Sequence, residues 1–313
     1  MNDNRYAFFG GQIVPIEQAK VSIMTHALNY GTGCFEGIRA YWNPEAEELY
    51  VFRLKEHFER LLRSARLLLI ELPYTADELC AITLELLAKE GFHQDTYIRP
   101  LAFKSQPVVG VRLHDLEGDF AMFCVPFGKY IEKPEGASAG VSSWRRIEDN
   151  TMPARGKITG SYVNSALAKT EAMANGFDEA VVLNADGHIA EGSAENLMIV
   201  RDGQLVTTPV YANILEGITR ATIKHIAKEQ LGLDLVERQI DRSELYVADE
   251  MFFCGTGVEV VPVTRIDHRP LGDGRIGPIS QQIYDLYFRT VRGQEPRYMN
   301  WCSPVYQHAT QAA

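Results

Sequence analysis

The amino-acid sequence predicts an α+β protein of two domains. At 313 residues, the chain is about twice as long as a typical domain. Strand-like and helix-like segments do not alternate regularly, which disfavours a doubly wound parallel sheet. Hydrophobic residues make up 46% of the chain and charged residues 23%, which is typical of a globular protein with a buried core. We expect a smaller first domain over residues 1–127, a linker over 128–139 that is rich in glycine, proline and charge, and a larger second domain over 140–313.

The first domain is predicted to begin with a β-hairpin, whose strands YAFF and QIVPI flank two glycines. The apolar residues between Phe58 and Leu69 recur at helical spacing and predict an amphipathic helix. A second helix is predicted to begin at Thr75, which forms a capping box with Glu78, and to end before Gly91. The strands TYIRPLAF and DFAMFCVPF complete the domain, and the segment KSQPVVGVRLHD between them is expected to be a loop.

The second domain is predicted to contain the strand GVSSWRRI and then a helix over residues 162–175. Short strands follow as a meander, with turns at NADG and RDG. A helix is predicted over residues 218–231, followed by three strands and a last helix over 279–292. We expect the polar tail after Gly293 to be only partly ordered.

The charge and the cysteine pattern disfavour several classes of protein. A formal net charge of −10 argues against a protein that binds the phosphates of nucleic acids. The five cysteines are scattered without a Cys-x-x-Cys pair, so we expect neither a disulfide framework nor a zinc ribbon, and a reducing compartment. The sequence begins without a signal-peptide pattern, and no apolar run reaches the length of about eighteen residues that spans a membrane. We therefore expect a cytoplasmic protein that binds neither nucleic acid nor a membrane.

Common motifs for nucleotides, metals and serine nucleophiles are absent from the sequence. The segments GTGCFEG and CGTGVEV lack the third glycine of a dinucleotide fingerprint, and no P-loop lysine motif occurs. The eight histidines include no His-Glu-x-x-His, so we expect no metal site. There is no Gly-x-Ser-x-Gly elbow either. His57, on the first amphipathic helix, is expected at the surface or its boundary and not as a catalytic residue.

Four features of the second half occur in an informative order. Lys157 lies in a glycine-flanked loop, Glu191 follows at a strand–turn junction, Thr219 stands in the first turn of a helix, and Thr256 lies in a Gly-Thr-Gly turn. Taken singly, each feature also fits a solvated loop residue, an ordinary helix start or an ordinary turn. Pyridoxal phosphate requires an amine for its aldehyde, an anion beside its ring nitrogen and N–H donors for its phosphate. The order of the four features therefore indicates that cofactor.

The chain resembles the class IV, or fold-type IV, pyridoxal-phosphate aminotransferases, and within them the branched-chain amino-acid aminotransferases most. The resemblance covers nearly the whole chain and rests on several long motifs in the right order. Among them are MTHALNYGTGCFEGIRAY, TMPARGKITGSYVNS, AEGSAENLMIV, LEGITRATI and LYVADEMFFCGTGVEVVPV. The resemblance implies the two-domain fold of the D-amino-acid aminotransferases, with pyridoxal 5'-phosphate held at the domain interface.

The resemblance also implies roles for individual residues. Lys157 matches the lysine that bonds to the cofactor aldehyde and later moves a proton at the substrate Cα. Glu191 matches the acid that keeps the ring nitrogen protonated, and Tyr162 matches the tyrosine that hydrogen-bonds the phenolic oxygen. The implied phosphate ligands are Arg60, Gly217, Ile218, Thr219 and Thr256. Without the resemblance, Arg60 would be read as an arginine on a helix face.

For the substrate, the resemblance implies the residues Tyr30, Phe35, Gly37, Tyr97, Arg99, Val111, Phe127, Tyr130 and Gly257. Arg99 is expected to bind the distal carboxylate of glutamate. Tyr97 and the amides of Thr256 and Gly257 are expected to bind the α-carboxylate. Tyr30 and the loop from Val109 to Val111 are expected to reach the neighbouring subunit's site, which implies a homodimer or a larger assembly of dimers. Phe127 stands where many bacterial members carry tryptophan.

We therefore expect ping-pong transamination between branched-chain L-amino acids and 2-oxoglutarate. One alternative is a transaminase for D-amino acids or (R)-amines, because Arg112 and His114 form an Arg-x-His pair similar to the carboxylate trap of D-amino-acid transaminases. Two further alternatives are an aminodeoxychorismate lyase of the same fold and a non-catalytic binding protein. The presence of Lys157, Glu191 and Tyr162 together speaks against the last.

Overall fold

The computed structural model of the protein describes residues 5–307. The strands are β1 (Tyr6–Phe9), β2 (Gln12–Pro15), β3 (Gly33–Phe35), β4 (Ile38–Asn43), β5 (Glu48–Phe52), β6 (Thr96–Lys104), β7 (Gly118–Pro126), β8 (Ala137–Arg145), β9 (Glu179–Leu183), β10 (Ile189–Gly192), β11 (Asn196–Arg201), β12 (Gln204–Thr207), β13 (Leu235–Glu237), β14 (Glu250–Gly255), β15 (Glu259–Ile266), β16 (Arg269–Pro270) and β17 (Cys302–Pro304). The α-helices are α1 (His26–Tyr30), α2 (Leu54–Leu67), α3 (Ala76–Glu90), α4 (Tyr162–Ala174), α5 (Ile218–Leu231) and α6 (Pro278–Val291). Mixed helix and sheet confirm the predicted α+β class.

The described chain divides into two compact units. The first contains residues 5–128, 156–160 and 289–307, and the second contains residues 129–155 and 161–288. The sequence-based division placed the whole of 140–313 in one domain, and it differs from these units at residues 156–160 and after residue 288. The structure groups the C-terminal segment with the first unit since β17 pairs with β5 of that unit.

The first unit is built on an antiparallel sheet with the strand order β17-β5-β4-β6-β7-β1-β2, and β3 pairs with β6. Buried and half-buried residues alternate along β6, as the period of a one-sided strand requires. The predicted hairpin and the strands TYIRPLAF and DFAMFCVPF are confirmed as β1–β2, β6 and β7. The capping box is also confirmed, since Thr75 Oγ1 accepts the N–H of Glu78 while the Glu78 carboxylate accepts the N–H of Thr75.

Two strands and the end of the chain differ from the prediction. Strands β4 and β5 were missed because their residues are nearly all buried, which removes the alternation that marks a strand. The predicted linker ends earlier than expected, because β8 begins at Ala137. The tail is ordered as a 3-10 turn, Pro296–Trp301, and as β17. Residues 308–313 of the tail lie outside the described residues.

The second unit contains a mixed sheet with the order β10-β9-β8-β15-β14-β11-β12-β13, and β16 pairs with β15. Strand β8 runs parallel to both β9 and β15, whereas β14 is antiparallel to both β11 and β15. Helix α5 has the predicted bounds because Gly217 begins it and Gly232 ends it in the left-handed conformation. Over residues 5–307, every helix is too short or too polar to cross a membrane.

Candidate active site

Lys157 belongs to a short segment, residues 156–160, that packs as part of the first unit. Two hydrogen bonds hold its backbone: the N–H donates to Ser64 Oγ at 3.1 Å, and the C=O accepts the N–H of Phe35 at 3.0 Å. The half-buried side chain places Nζ 5.1 Å from the centroid of the Phe35 ring. The amine is therefore carried by a backbone that shifts only when two hydrogen bonds break.

Two glycines set the path of this segment. Gly31 ends α1 in the left-handed conformation, with φ +67, and a Cβ on it would lie 3.0 Å from the Cα of Gly160. The Thr159 hydroxyl lies 3.0 Å and 2.9 Å from the carbonyl oxygens of Gly31 and Gly33. This close backbone approach explains why the lysine loop is flanked by glycine.

A buried ionic cluster contains Glu36, His57 and Arg60. Arg60 Nε and Nη2 donate to the two Glu36 oxygens at 2.7 Å and 2.8 Å, and His57 Nδ1 lies 2.8 Å from Glu36 Oε2. The prediction that His57 lies at the surface or its boundary is wrong, since its exposed fraction is 1%. His57 shares the apolar face of α2 with Phe58 and Leu61, and the sequence analysis overlooked this spacing.

The charges within this cluster follow from its burial. Burial alone raises the pKa of Glu36, but the Arg60 guanidinium and the His57 ring outweigh it and hold that pKa at about 2. Burial lowers the pKa of His57 and outweighs the effect of Glu36 on it. The imidazole is therefore neutral near pH 7 and donates from Nδ1 to an ionised carboxylate. Arg60, the predicted phosphate ligand, is oriented by this carboxylate, and its phosphate role stays a prediction.

Four predicted substrate residues of the first unit contact one another. The Arg99 guanidinium lies 4.5 Å from the ring centroid of Phe35 and donates through Nη2 to the Tyr97 hydroxyl at 2.8 Å. The rings of Tyr97 and Phe127 lie 5.3 Å apart. The buried Nε of Arg99 has no hydrogen-bond partner among residues 5–307. The group therefore combines aromatic surface with a cation that has an unused donor.

Two neighbours complete this group. A Cβ on Gly37 would collide with the Tyr97 hydroxyl, so only glycine leaves room for the Tyr97 side chain. Arg39, which the sequence analysis missed, is buried with its guanidinium 4.8 Å from the Phe127 ring centroid. Its Nη2 donates to the carbonyl of Gly128 at 2.6 Å. Arg39 therefore fixes one side of the Phe127 ring.

The remaining predicted residues of the first unit lie on an exposed loop and on the helix next to it. The Tyr30 hydroxyl accepts the N–H of Gly110 at 3.1 Å, which ties α1 to the loop. The Val111 side chain is 88% exposed, and Arg112 and His114 are also exposed. Their predicted contacts to substrate stay predictions.

In the second unit, Glu191 on β10 is buried and held by three donors. Arg146 Nη2 lies 2.7 Å from Oε1, while the Asn196 side-chain amide and the Leu215 N–H donate to Oε2 at 2.8 Å and 3.2 Å. All three donors stabilise the ionised carboxyl group. The sequence analysis missed Arg146, because no spacing rule connects it with Glu191 over such a distance along the chain, and it also missed Asn196, which lies only five residues after Glu191.

Asn196 also connects Glu191 to the start of α5. Its side-chain amide donates to the Leu215 carbonyl at 3.0 Å, and a Cβ on Gly217 would collide with its Oδ1. Gly217 caps α5 without a side-chain hydrogen bond, and Ile218 and Thr219 form the first turn. The first N–H groups of a helix have no acceptor within it, so this turn offers donors to an anion.

Three further predicted residues of the second unit lie on turns or at the start of a helix. Thr256 and Gly257 form the turn between β14 and β15, and Tyr162 begins α4 directly after a 3-10 turn. They are all partly exposed. Their positions leave their side chains or amides accessible, and their predicted contacts stay predictions.

Tyr130 borders a second buried ionic cluster, which sequence reasoning did not identify. Lys169 Nζ lies 5.4 Å from the Tyr130 ring centroid and 2.6 Å from Glu179 Oε2. Burial, followed by the neighbouring Glu179, raises the pKa of Glu195 well above its usual value, because one cation serves two carboxyl groups. Within residues 5–307, no three His, Cys, Asp or Glu side chains are grouped as ligands for a metal ion.

Comparison with known proteins supplies independent information. A sequence model described as Amino-transferase class IV matches residues 33–266. The chain is 50% identical over 301 residues to a protein of Aquifex aeolicus named "Probable branched-chain-amino-acid aminotransferase", covering 96% of this chain and 97% of that protein. It is 37% identical over 297 residues to the branched-chain-amino-acid aminotransferase of Pseudomonas aeruginosa, covering 94% and 95% of the two chains.

Two solved structures are similar throughout. The crystal structure of the branched-chain aminotransferase from Thermoproteus uzoniensis with norvaline gives a TM-score of 0.92 at 49% identity, over 96% of this chain and 99% of that one. The branched-chain amino acid aminotransferase from Thermobaculum terrenum in its PLP form gives a TM-score of 0.93 at 38% identity, over 97% and 99%.

Proposed function

The chain belongs to the class IV aminotransferases, and we propose that it transfers the amino group of L-leucine, L-isoleucine or L-valine to 2-oxoglutarate with pyridoxal 5'-phosphate as cofactor. The observation that carries the substrate assignment is the contact of Arg99 with Phe35 and Tyr97. It places a cation against aromatic surface, which suits both a methyl-rich side chain and a carboxylate.

The residues present fit pyridoxal phosphate. Lys157 supplies an amine, Glu191 supplies a buried carboxylate that three donors hold ionised, and the uncapped start of α5 supplies N–H groups for a phosphate. When bound, the cofactor bonds to an amine through its aldehyde and draws electrons from the substrate Cα into its ring.

Lys157 performs two tasks in this proposal. Its amine would hold the cofactor through the aldehyde, and the same amine would move a proton at the substrate Cα. The hydrogen bonds of its backbone to Ser64 and Phe35 leave only the side-chain torsions free. That restriction favours a repeatable position of the amine through both tasks.

Glu191 and Tyr162 act on the cofactor ring. Glu191 would accept a hydrogen bond from the ring nitrogen and compensate its positive charge. Tyr162, at the start of α4, donates to the phenolic oxygen. Neither residue reacts covalently, and both determine how readily the ring accepts electrons.

The residues that would hold the phosphate, as the family resemblance implies, are Arg60, Gly217, Ile218, Thr219 and Thr256. Hydrogen bonds to a charged group contribute about 1.5–3 kcal/mol each, so several of them together would anchor the cofactor. The paired carboxylate of Glu36 holds the Arg60 guanidinium in a defined plane. The N–H groups of α5 are fixed by the helix itself.

The substrate pocket receives two different acids in turn, because ping-pong transamination releases the first keto acid before the second enters. The residues expected from the family resemblance to border the aliphatic chain of a branched substrate are Phe35, Phe127 and Tyr130. Arg99 binds the distal carboxylate of glutamate, and its unpartnered Nε is the donor available for that bond. The residues that hold or border the α-carboxylate are Tyr97, Gly37, Thr256 and Gly257.

The purified holoenzyme tests this assignment directly. We expect glutamate formation from 2-oxoglutarate to be fastest with L-leucine and much slower with D-alanine or (R)-1-phenylethylamine. The Lys157→Ala variant serves as the control and is expected to be inactive with all three donors. Negligible activity with L-leucine beside turnover of D-alanine or the amine would contradict the proposal, and release of pyruvate from aminodeoxychorismate would identify a lyase.

We also propose that the enzyme works as a homodimer or an assembly of dimers in the cytoplasm. Exposed apolar side chains on and before α1 and on the neighbouring loop support this assembly, among them Ile23, Leu28, Val109 and Val111. All five cysteines are free thiols, as in proteins of reducing compartments. Light scattering tests the assembly: we expect a dimer or larger species and a smaller mass for Val111→Glu. A monomeric wild type would contradict the proposal.

A further inference from the structure

Arg146 contacts Glu191 in a largely buried environment. Its Nη2 lies 2.7 Å from Glu191 Oε1, and the two side chains are 13% and 4% exposed. The guanidinium carries a permanent charge and has no acceptor. A protonated Glu191 would therefore place a neutral carboxyl group against a cation that needs an anion.

The second oxygen of Glu191 faces two more donors. Asn196 Nδ2 and the Leu215 N–H both donate to Oε2, at 2.8 Å and 3.2 Å. Two hydrogen bonds use the two lone pairs of that oxygen, so a proton on Oε2 displaces one of them. The donor set thus favours the carboxylate, and Arg146 supplies the positive charge in it.

The position of Arg146 is itself fixed. Its Nε donates to the carbonyl of Asn213 at 2.9 Å, and its backbone N–H donates to the Leu183 carbonyl at 2.8 Å. Asn213 adopts a positive φ of 56, and its side chain donates to Asn184 Oδ1 at 2.9 Å. Asparagine tolerates this left-handed conformation better than most residues. The carbonyl that holds the guanidinium is therefore set by the turn at Asn213.

We propose that Arg146 is a positioning residue that keeps Glu191 ionised, so that the proton shared by Glu191 and the ring nitrogen of pyridoxal phosphate stays on the nitrogen. The inference rests on the proposed function, in which Glu191 faces that nitrogen. The shared proton has two positions: on the ring nitrogen, which leaves Glu191 a carboxylate, or on Glu191, which leaves both groups neutral. The Arg146 guanidinium favours the first state, because it lies closer to the negative carboxylate than to the positive nitrogen. Without Arg146, the shared proton moves from the nitrogen to the buried carboxyl group.

The holoenzyme loaded with ring-15N pyridoxal phosphate tests this proposal. We expect the 15N chemical shift of wild type to be that of a protonated pyridine, and the shift of Arg146→Gln to move to that of an unprotonated one. The 15N shift of Arg146→Lys should lie between these two values, because lysine keeps the positive charge but lacks the planar guanidinium. The amino transfer from L-leucine should also slow, because a ring with an unprotonated nitrogen accepts electrons less readily.

Arg145 provides a matched control, because the same residue type stands next in the chain with its side chain exposed. Arg145→Gln should keep the wild-type 15N shift and rate. A protonated nitrogen in folded Arg146→Gln would overturn the proposal. Arg146→Met serves as a second neutral variant, and failure of both neutral variants to fold, judged by circular dichroism, would assign Arg146 a structural role and also overturn it.

The 15N measurement separates this inference from the proposed substrate. If wild type binds the cofactor with a protonated nitrogen but does not act on L-leucine, the substrate assignment fails and the role of Arg146 is decided by the shift of Arg146→Gln alone. If wild type binds no pyridoxal phosphate, the proposed function fails and the inference fails with it.

Discussion

Replacing Glu36 by glutamine removes the negative charge from the buried cluster that it forms with Arg60 and His57. The folded protein lowers the pKa of Glu36 from 4.5 to about 2, and the group is completely buried. This shift corresponds to about 3 kcal/mol of unfolding free energy at neutral pH. Loss of one partner of a buried ion pair gives a similar value, about 3–5 kcal/mol, because the other charge stays buried. We therefore expect Glu36→Gln to destabilise the first unit by about 3 kcal/mol.

The pH dependence of this difference has a defined sign. Since the folded-state pKa is depressed, the contribution of the carboxylate is fully present above the unfolded-state value of 4.5 and is lost as the pH falls towards about 2. The free-energy gap between wild type and Glu36→Gln should therefore be constant near pH 7 and narrow below about pH 4.5. The depressed pKa of His57 adds a loss of stability in acid that itself depends on Glu36, so both proteins are compared in a His57→Gln background.

Urea unfolding of the cofactor-free protein measures the gap without a contribution from bound cofactor. Of the three tryptophans, Trp42 and Trp301 lie in the first unit and Trp144 in the second, so a Trp144→Phe background restricts fluorescence to the first unit. Glu56→Gln is the matched control, because Glu56 on the same helix pairs with Arg53 near the surface, where a pair contributes about 0–1 kcal/mol. A Glu36→Gln effect as small as that of Glu56→Gln, or a gap that does not narrow in acid, would refute the reasoning.

Three further variants have defined outcomes. Glu191→Ala should retain the cofactor in its absorption spectrum but slow turnover by about 100-fold or more, and an unchanged kcat would show that another group protonates the ring. Gly37→Ala should displace the Tyr97 hydroxyl from Arg99 and raise the KM for glutamate by about tenfold, whereas an unaltered KM would contradict the predicted collision. Glu48→Gln removes the charge that accepts the N–H groups of residues 305–307, so limited proteolysis should cleave the C-terminal segment faster than in wild type; equal cleavage would contradict this role.

The sequence predicted the helices whose ends carry capping residues or glycine. Helix α5 begins at Gly217 and ends at Gly232, and α3 carries a capping box at Thr75, so both ends of α5 and the start of α3 were visible without a structure. Strands β4 and β5 carry no such marks, and their nearly continuous burial hides the alternation of a strand. Their existence became evident only from pairing with β6 and β17.

In the candidate site, the sequence predicted the main functional residues but not the residues that contact them. The resemblance pointed to Lys157 and Glu191, because their sequence motifs are long and ordered. Glu36, the partner of Arg60, and Arg146, the partner of Glu191, were not predicted. Glu36 lies 24 residues from Arg60, and Arg146 lies still farther from Glu191, whereas periodicity describes only neighbours within a few helical turns. Charge balance in a buried cluster is a property of the fold and appears only with the coordinates.

Substrate selection and ring electronics are assigned to different residues, and kinetics can separate them. Arg99 is proposed to bind the distal carboxylate, which only glutamate and 2-oxoglutarate possess, so Arg99→Gln should slow the half-reaction of glutamate by about tenfold or more and leave that of leucine nearly unchanged. Arg146 is proposed to act through Glu191 on the cofactor ring, and both half-reactions use that same ring. Arg146→Gln should therefore slow both half-reactions by the same factor. Stopped-flow absorbance of the bound cofactor measures each half-reaction alone. Equal losses in Arg99→Gln would show that its guanidinium supports the pocket as a whole and does not select the carboxylate.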